Sequence, residues 1–141
     1  MLKAVIDTNI LVSAVLSKNG TPAKILEFWR KRSFLLAINE AAMQEAQRVL
    51  NDLGSTGKYN LPSNEISELL QLLRKEAQFV PGQITVAGII PQDTTDENFL
   101  SIALEANADV IISGDKHLLN LGKFKNIPIL TPRQFLDFLK Q

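Results

Sequence analysis

The sequence predicts an α/β fold whose mostly parallel central sheet, of four to five strands, is covered by helices on both faces. Three observations predict it. Short apolar runs with β-branched residues, such as Ala4-Val5-Ile6 and Val110-Ile111-Ile112, alternate with segments whose apolar residues recur at helical spacing. The runs are nearly continuous rather than alternating polar with apolar, which is the pattern of strands buried on both sides. With 141 residues the chain is close to the usual size of one domain, so these elements are expected to share one core spanning residues 1–141. Right-handed crossovers then bring the strand-to-helix loops to one edge of the sheet, where ligands of such sheets bind.

The elements follow in order. Ala4–Ile6 is a strand that ends at Asp7, and Ile10, Leu11, Ala14 and Val15 give the next segment a helical apolar face. Lys18-Asn19-Gly20 punctuates, and Pro22 suits the first turn of a helix carrying Ile25, Leu26, Phe28 and Trp29. Phe34–Ile38 is a second buried strand. A helix follows from Glu40 to Leu53, then a loop by composition over Gly54–Asn60, then a helix from Pro62 to Ala77 with Ile66, Leu69, Leu70 and Leu73 in its stripe. Gln78–Ile90 reads either as one interrupted strand or as two short ones divided by Pro81-Gly82. Thr94–Asn107 is a helix whose Thr94 and Glu97 have capping-box spacing. Val110–Ile112 is a strand, Asp115 opens a short helical turn, Ile127–Leu130 is a strand, and Thr131-Pro132 starts a terminal helix.

Composition excludes more than it selects. There is no cysteine, which removes disulfides, thiolate-bound zinc and iron–sulfur clusters. Lys plus Arg number 15 and Asp plus Glu number 15, so any nucleic-acid surface has to be a local basic stripe rather than a net excess. The apolar start before Asp7 is too short for a signal h-region or a membrane span, which makes cytoplasmic location the default and no membrane the expectation. No G-x-x-x-x-G-K-[ST] loop, G-x-G-x-x-G turn or G-x-S-x-G elbow occurs. A haloacid-dehalogenase-like phosphatase needs an Asp two residues after Asp7, and Asn9 stands there.

Carboxylates are what the loop edge does contain. Asp7 follows the first strand, and Asp115 follows the Val110–Ile112 strand across Ser113-Gly114. Asp96 lies in the first turn of the helix opened by Thr94, with Asp93 ahead of it, and Glu45 projects from the helix after Phe34–Ile38. Each has a structural explanation, since Asp is a favoured N-cap and first-turn acids suit the helix dipole. Together they have another: carboxylates converging within about 4–6 Å repel unless some are protonated or a cation lies between them. An all-oxygen donor set suits Mg²⁺ or Mn²⁺. Two such ions about 3.5–4 Å apart activate a water and stabilise the leaving oxygen of a phosphodiester, although the sequence leaves open one metal or two. The lone His117 reads as a supporting or surface residue rather than a ligand, with a phosphate contact within its reach.

These residues resemble the PIN-domain family over nearly the whole chain. Val-Ile-Asp-Thr-Asn at 5–9 is similar to its first acidic motif, and Asn39–Leu50 to its second with Glu45 at the acidic position. Residues 93–100, from Asp93 through Asp96 to Leu100, resemble the third motif, and residues 108–119, around Asp115, the fourth. The stretch Ile129 to Leu136 resembles bacterial PIN proteins that act as toxins. The resemblance implies a three-layer α/β/α domain and Mg²⁺- or Mn²⁺-dependent cleavage of RNA. It also implies homodimers and a small antitoxin that blocks the site. Asp7, Glu45, Asp96 and Asp115 would be the catalytic, metal-binding acids. Asn9 and Ser113 would orient ligands or waters, and Asp93 would be a supporting acid. Two departures stand out: His117 where many relatives have a further Asp, and Asn39 where a Ser is usual, which bears on the choice of Glu45 over Glu40.

For RNA contacts, Lys116 beside Asp115 is the first candidate together with His117, followed by Lys18, Lys24 and Lys58. Arg30-Lys31-Arg32 reads as a helix C-terminus placing cations against the dipole, and Trp29, Tyr59 and the phenylalanines as core or partner surface. Two other functions fit the same fold: RNA processing without an antitoxin, and a non-catalytic module that binds RNA or protein.

Overall fold

The computed structural model describes residues 1–56, 63–90 and 94–141. In chain order it runs β1 (Lys3–Ile6), α1 (Thr8–Leu16), α2 (Thr21–Arg30), β2 (Leu35–Ile38), α3 (Glu40–Thr56), α4 (Ser63–Glu76) and β3 (Gln78–Phe79). Then come α5 (Thr94–Ala106), β4 (Val110–Ile112), α6 (Lys116–Leu121), β5 (Lys123–Phe124), β6 (Ile127–Leu130) and α7 (Pro132–Leu139). The sheet order is β3-β2-β1-β4-β6-β5, parallel throughout except for the β5–β6 pair. Val110, Ile111 and Ile112 are all buried. Successive strand residues face opposite sides, so helices must cover both faces. On one face α5 packs against β1, β2 and β4, while α2 packs against α1 and α7.

The sheet has six strands, not four to five, because its edges carry two-residue pieces that apolar runs cannot reveal. Both residues of β3 are exposed, and β5 pairs antiparallel with β6 through Lys123–Pro128 and Phe124–Ile127. The stretch Gln78–Ile90 is strand only at Gln78–Phe79. Beyond it, α5 takes over the hydrogen bonds a second strand would need. Gly82 and Gln83 N–H groups donate to the two oxygens of Glu105, Val86 N–H to Ser101 Oγ, and Ile89 and Ile90 N–H groups to Glu97 Oε2. Positive φ at Gly82 and Gly88 bends this segment along the helix rather than along the sheet.

Gly54–Thr56, expected to open a loop, continues α3, and the rest of that expected loop lies outside the described residues. Packing explains the helical glycine: a Cβ at Gly54 would lie 3.1 Å from Ile66 Cδ1 of α4. At the C-terminus Thr131 and Gln134 form a reciprocal capping box, and Phe34 meets Phe135 edge-on with ring centres 5.2 Å apart. Arg30-Lys31-Arg32 closes α2 as read, with Arg30 bonded to Glu27. Among the described residues no helix is long and apolar enough to cross a membrane.

Candidate active site at the sheet switch point

The chain runs from β1 outward to β2 and β3, then returns to β4 on the other side of β1. That reversal leaves a crevice at the carboxyl ends of β1 and β4. One residue beyond the paired strand ends, the registers align Asn39 with Val80, Asp7 with Ser113, and Ser113 with Thr131. Asp7 and Ser113 are therefore neighbours because β1 and β4 are, despite a sequence separation of 106.

Asp7 is only 3% exposed and caps α1: its Oδ1 accepts the Asn9 N–H at 3.0 Å. Its Oδ2 accepts the Ser113 hydroxyl at 2.8 Å, and the same hydroxyl accepts the Asp115 N–H at 3.0 Å. Fully buried Ser113 thus ties the two acidic loops together. Asp115 is half-buried and caps α6, its Oδ1 accepting the His117 N–H at 2.7 Å. The capping explanation and the functional one coexist here: these carboxylates hold helix ends while standing at the crevice. Asn9 is exposed; its N–H holds Asp7 and its carbonyl accepts the Ser13 hydroxyl.

Asp96, in the first turn of α5, is 5% exposed. Glu45 is half-buried on α3. Glu40, its rival from the sequence, is an exposed residue held by Arg74, whose Nη1 lies 2.6 and 2.7 Å from its two oxygens. The hydrogen bond it donates to Glu40, opposed by desolvation and aided by Coulomb attraction, raises the Arg74 guanidinium above its usual pKa. Among the described residues no group of three or more Asp, Glu or His side chains is close enough to share a metal ion. The donor chemistry nevertheless fits a hard cation, since Asp7 and Asp96 are carboxylates taken almost wholly out of water. Spacing adds nothing to that fit. Asp93 lies outside the described residues, as does Lys58. Lys116 is exposed and His117 half-buried at the start of α6. Lys18 pairs with Glu65 and Lys24 is exposed on α2.

Sequence reasoning missed Asn98. Its side-chain amide and that of Asn39 bond reciprocally, Asn39 Nδ2 to Asn98 Oδ1 at 2.7 Å and Asn98 Nδ2 to Asn39 Oδ1 at 3.1 Å. Asn39 Oδ1 also accepts the Ala42 N–H, so Asn39 fills the capping place where a Ser was expected. The available signal was a polar residue two places after Asp96 in a first helical turn, and by itself it is weak. The two amides line a cavity of about 350 Å³. A larger one of about 560 Å³ lies between α1, α2 and α4, and none of the predicted acids lines it.

A mostly parallel sheet with buried acids at its switch point defines a class of α/β domains that work on ligands at the strand ends. The comparisons narrow the class. Residues 3–117 match the PIN-domain family, and the chain belongs to it. It is also 27% identical, over 96% of its own length and 90% of the relative's, to an uncharacterised protein of Methanocaldococcus jannaschii. PIN domains are in general nucleases, RNases among them, and typically use divalent metals.

Proposed function

We propose that this protein is a Mg²⁺- or Mn²⁺-dependent endoribonuclease whose acids are Asp7, Glu45, Asp96 and Asp115. The observation that carries the reading is the Ser113-bridged pairing of the Asp7 and Asp115 loops at the switch point of a PIN fold. Asp7 and Asp96 would hold the cation from the buried side and Asp115 from the half-buried one; Glu45 completes the set because Glu40 is engaged by Arg74. When bound, the divalent ion supplies charge for the phosphate and an activated water. Ser113 keeps the Asp7 carboxylate in one rotamer, Asn9 and the α1 terminus fix its other oxygen, and Asp93 would be a supporting acid. Lys116 and His117 would meet the RNA backbone.

The test uses a labelled single-stranded RNA and purified protein with Mn²⁺, with EDTA, and with Asp96→Asn. The expected result is cleavage that both changes abolish. Binding without cleavage under any divalent metal overturns the enzyme in favour of an RNA-binding module. The toxin role, its antitoxin and the homodimer rest only on the family resemblance, in which Ile129–Leu136 fits the toxins. Growth arrest on expression of the wild type but not of Asp96→Asn is the outcome that supports a toxin. Normal growth with active enzyme supports RNA processing instead.

A further inference from the structure

We infer that the RNA strand leaves the acids across β4 and β6, and that Arg133 at the start of α7 holds a phosphate on that path; this deepens the ribonuclease reading and rests on it. The charge pattern comes first. The chain as a whole is balanced, with 15 basic and 15 acidic side chains. From Val110 to Gln141 it is not: Lys116, Lys123, Lys125, Arg133 and Lys140 stand against only Asp115 and Asp137. These residues build β4, β6 and β5, one half of the sheet, and the helices α6 and α7 that follow its strands. All five basic side chains are exposed. A polyanion draws much of its affinity from such a local excess, because each phosphate that is neutralised releases counterions.

Place narrows the five. The Ser113 N–H donates to the Leu130 carbonyl at 3.0 Å, as the Asp7 N–H does to that of Ile112. Asp7, Ser113 and Thr131 therefore stand at the carboxyl ends of adjacent strands, with Thr131 two strand spacings, or about 10 Å, from Asp7. Lys116 directly follows Asp115, and Arg133 lies two residues past Thr131 in the first turn of α7. Both therefore belong to the edge that carries the acids, whereas Lys125, in the turn before Ile127, belongs to the opposite end of β6. The edge itself is open: a Cβ on Gly114, between Ser113 and Asp115, would meet no atom within 4 Å.

The β2 side offers a strand less. Its cation is Arg74, which closes on both oxygens of Glu40 and lies 5.6 Å from the centre of the Phe79 ring. Arg133 is held more loosely. Its Nε is 3.3 Å from Asp137 Oδ1 one helical turn along, and both side chains are more than half exposed. A pair in that setting contributes little, so a phosphate that accepts two guanidinium N–H bonds displaces the carboxylate at small cost. The planar fork of arginine matches phosphate oxygens in that way.

Fluorescence anisotropy of a labelled single-stranded RNA, with Ca²⁺ in place of Mn²⁺, gives the affinity over a series of KCl concentrations. Arg133→Gln should flatten the slope of log affinity against log salt by about 0.7, the share of one single-strand phosphate. At about 0.1 M KCl it should bind about fivefold more weakly. Asp137→Asn, which frees the guanidinium, should bind about twofold more tightly. Lys125→Gln makes the same charge change at the far end of β6, and the double variant Glu40→Gln with Arg74→Gln removes the pair on the β2 side. Both should keep the wild-type slope. Under Mn²⁺, Arg133→Gln should raise KM and leave kcat unchanged, since the contact is the same before and during cleavage. A slope unchanged by Arg133→Gln, or an equal loss in Lys125→Gln or in the double variant, overturns the path. The expected slopes in a protein that cleaves nothing keep the path and remove the ribonuclease. Cleavage with a slope that Arg133→Gln leaves alone does the reverse.

Discussion

Ser113 has one hydroxyl and two tasks. It donates to the carboxylate of Asp7 and accepts the backbone N–H of Asp115, in a place that water does not reach. Ser113→Ala takes the donor from a buried charge and the acceptor from a peptide N–H. The expected loss is about 2–3 kcal/mol, because an unmet buried group costs its desolvation. Urea unfolding measures it; a midpoint equal to the wild type would mean that the bridge is not formed. RNA cleavage by the variant, assayed well below its unfolding midpoint, should fall as well, since Asp7 would lose the bond that fixes its rotamer. From sequence alone Ser113 could be named as a supporting residue, but what it supports depends on β1 and β4 lying side by side.

At the scale of elements, Asn39 joins α3 to α5. Its Oδ1 caps α3 through Ala42, and its amide closes the pair with Asn98. Asn39→Ser keeps a capping oxygen and loses the pair, so it should cost less than Asn39→Ala, which loses both; the cap alone is worth about 1 kcal/mol. Thermal unfolding of the two variants orders them, and a Ser variant no better than Ala would show that the cap contributes nothing. The segment after β3 gives a second prediction. Glu97→Ala removes the acceptor of the Ile89 and Ile90 N–H groups, and their hydrogen exchange should quicken by roughly tenfold, the worth of one charge-assisted bond. Unchanged exchange would mean that Glu97 does not hold the segment.

These two elements also mark where the sequence was legible. Strands such as Val110–Ile112 and helices such as Thr21–Arg30 carry their own period, because burial by neighbours imposes it on the local residue pattern. The stretch 80–90 has no period to read. Its hydrogen bonds go to Glu97, Ser101 and Glu105, a stripe on another element that itself reads as an ordinary polar helix face. Likewise Asp7, Asp96 and Asp115 could be chosen from the motifs, whereas Asn98 could not. Its role lies in a bond across 59 residues, and an asparagine in a first helical turn is otherwise unremarked. Motif position selects Glu45 over Glu40, whereas the bond by which Arg74 holds Glu40 shows only in the fold.

Over the whole molecule, the topology sets acids at the carboxyl ends of β1 and β4 and on the helix packed against them. Reversal of strand order between β1 and β4 brings Asp7 and the Asp115 loop to one crevice, and α5, which carries the buried Asp96, packs on both strands. Buried carboxylates destabilise the folded state through desolvation, and a cation that binds only the folded state offsets that cost. Stability should therefore depend on divalent metal in a way that ordinary surface acids do not. With Mn²⁺ at 100 times its Kd the wild type should gain about 2.7 kcal/mol, or roughly 8 °C in Tm for a chain of this size. Asp96→Asn should reverse the pattern, melting higher than the wild type in EDTA and gaining little from Mn²⁺. Glu40→Gln, which alters only the exposed pair with Arg74, should respond to Mn²⁺ as the wild type does. Differential scanning calorimetry of the three proteins with and without Mn²⁺ decides the matter. Equal Mn²⁺ shifts in all three would place the ion elsewhere and remove the metal from the proposed chemistry.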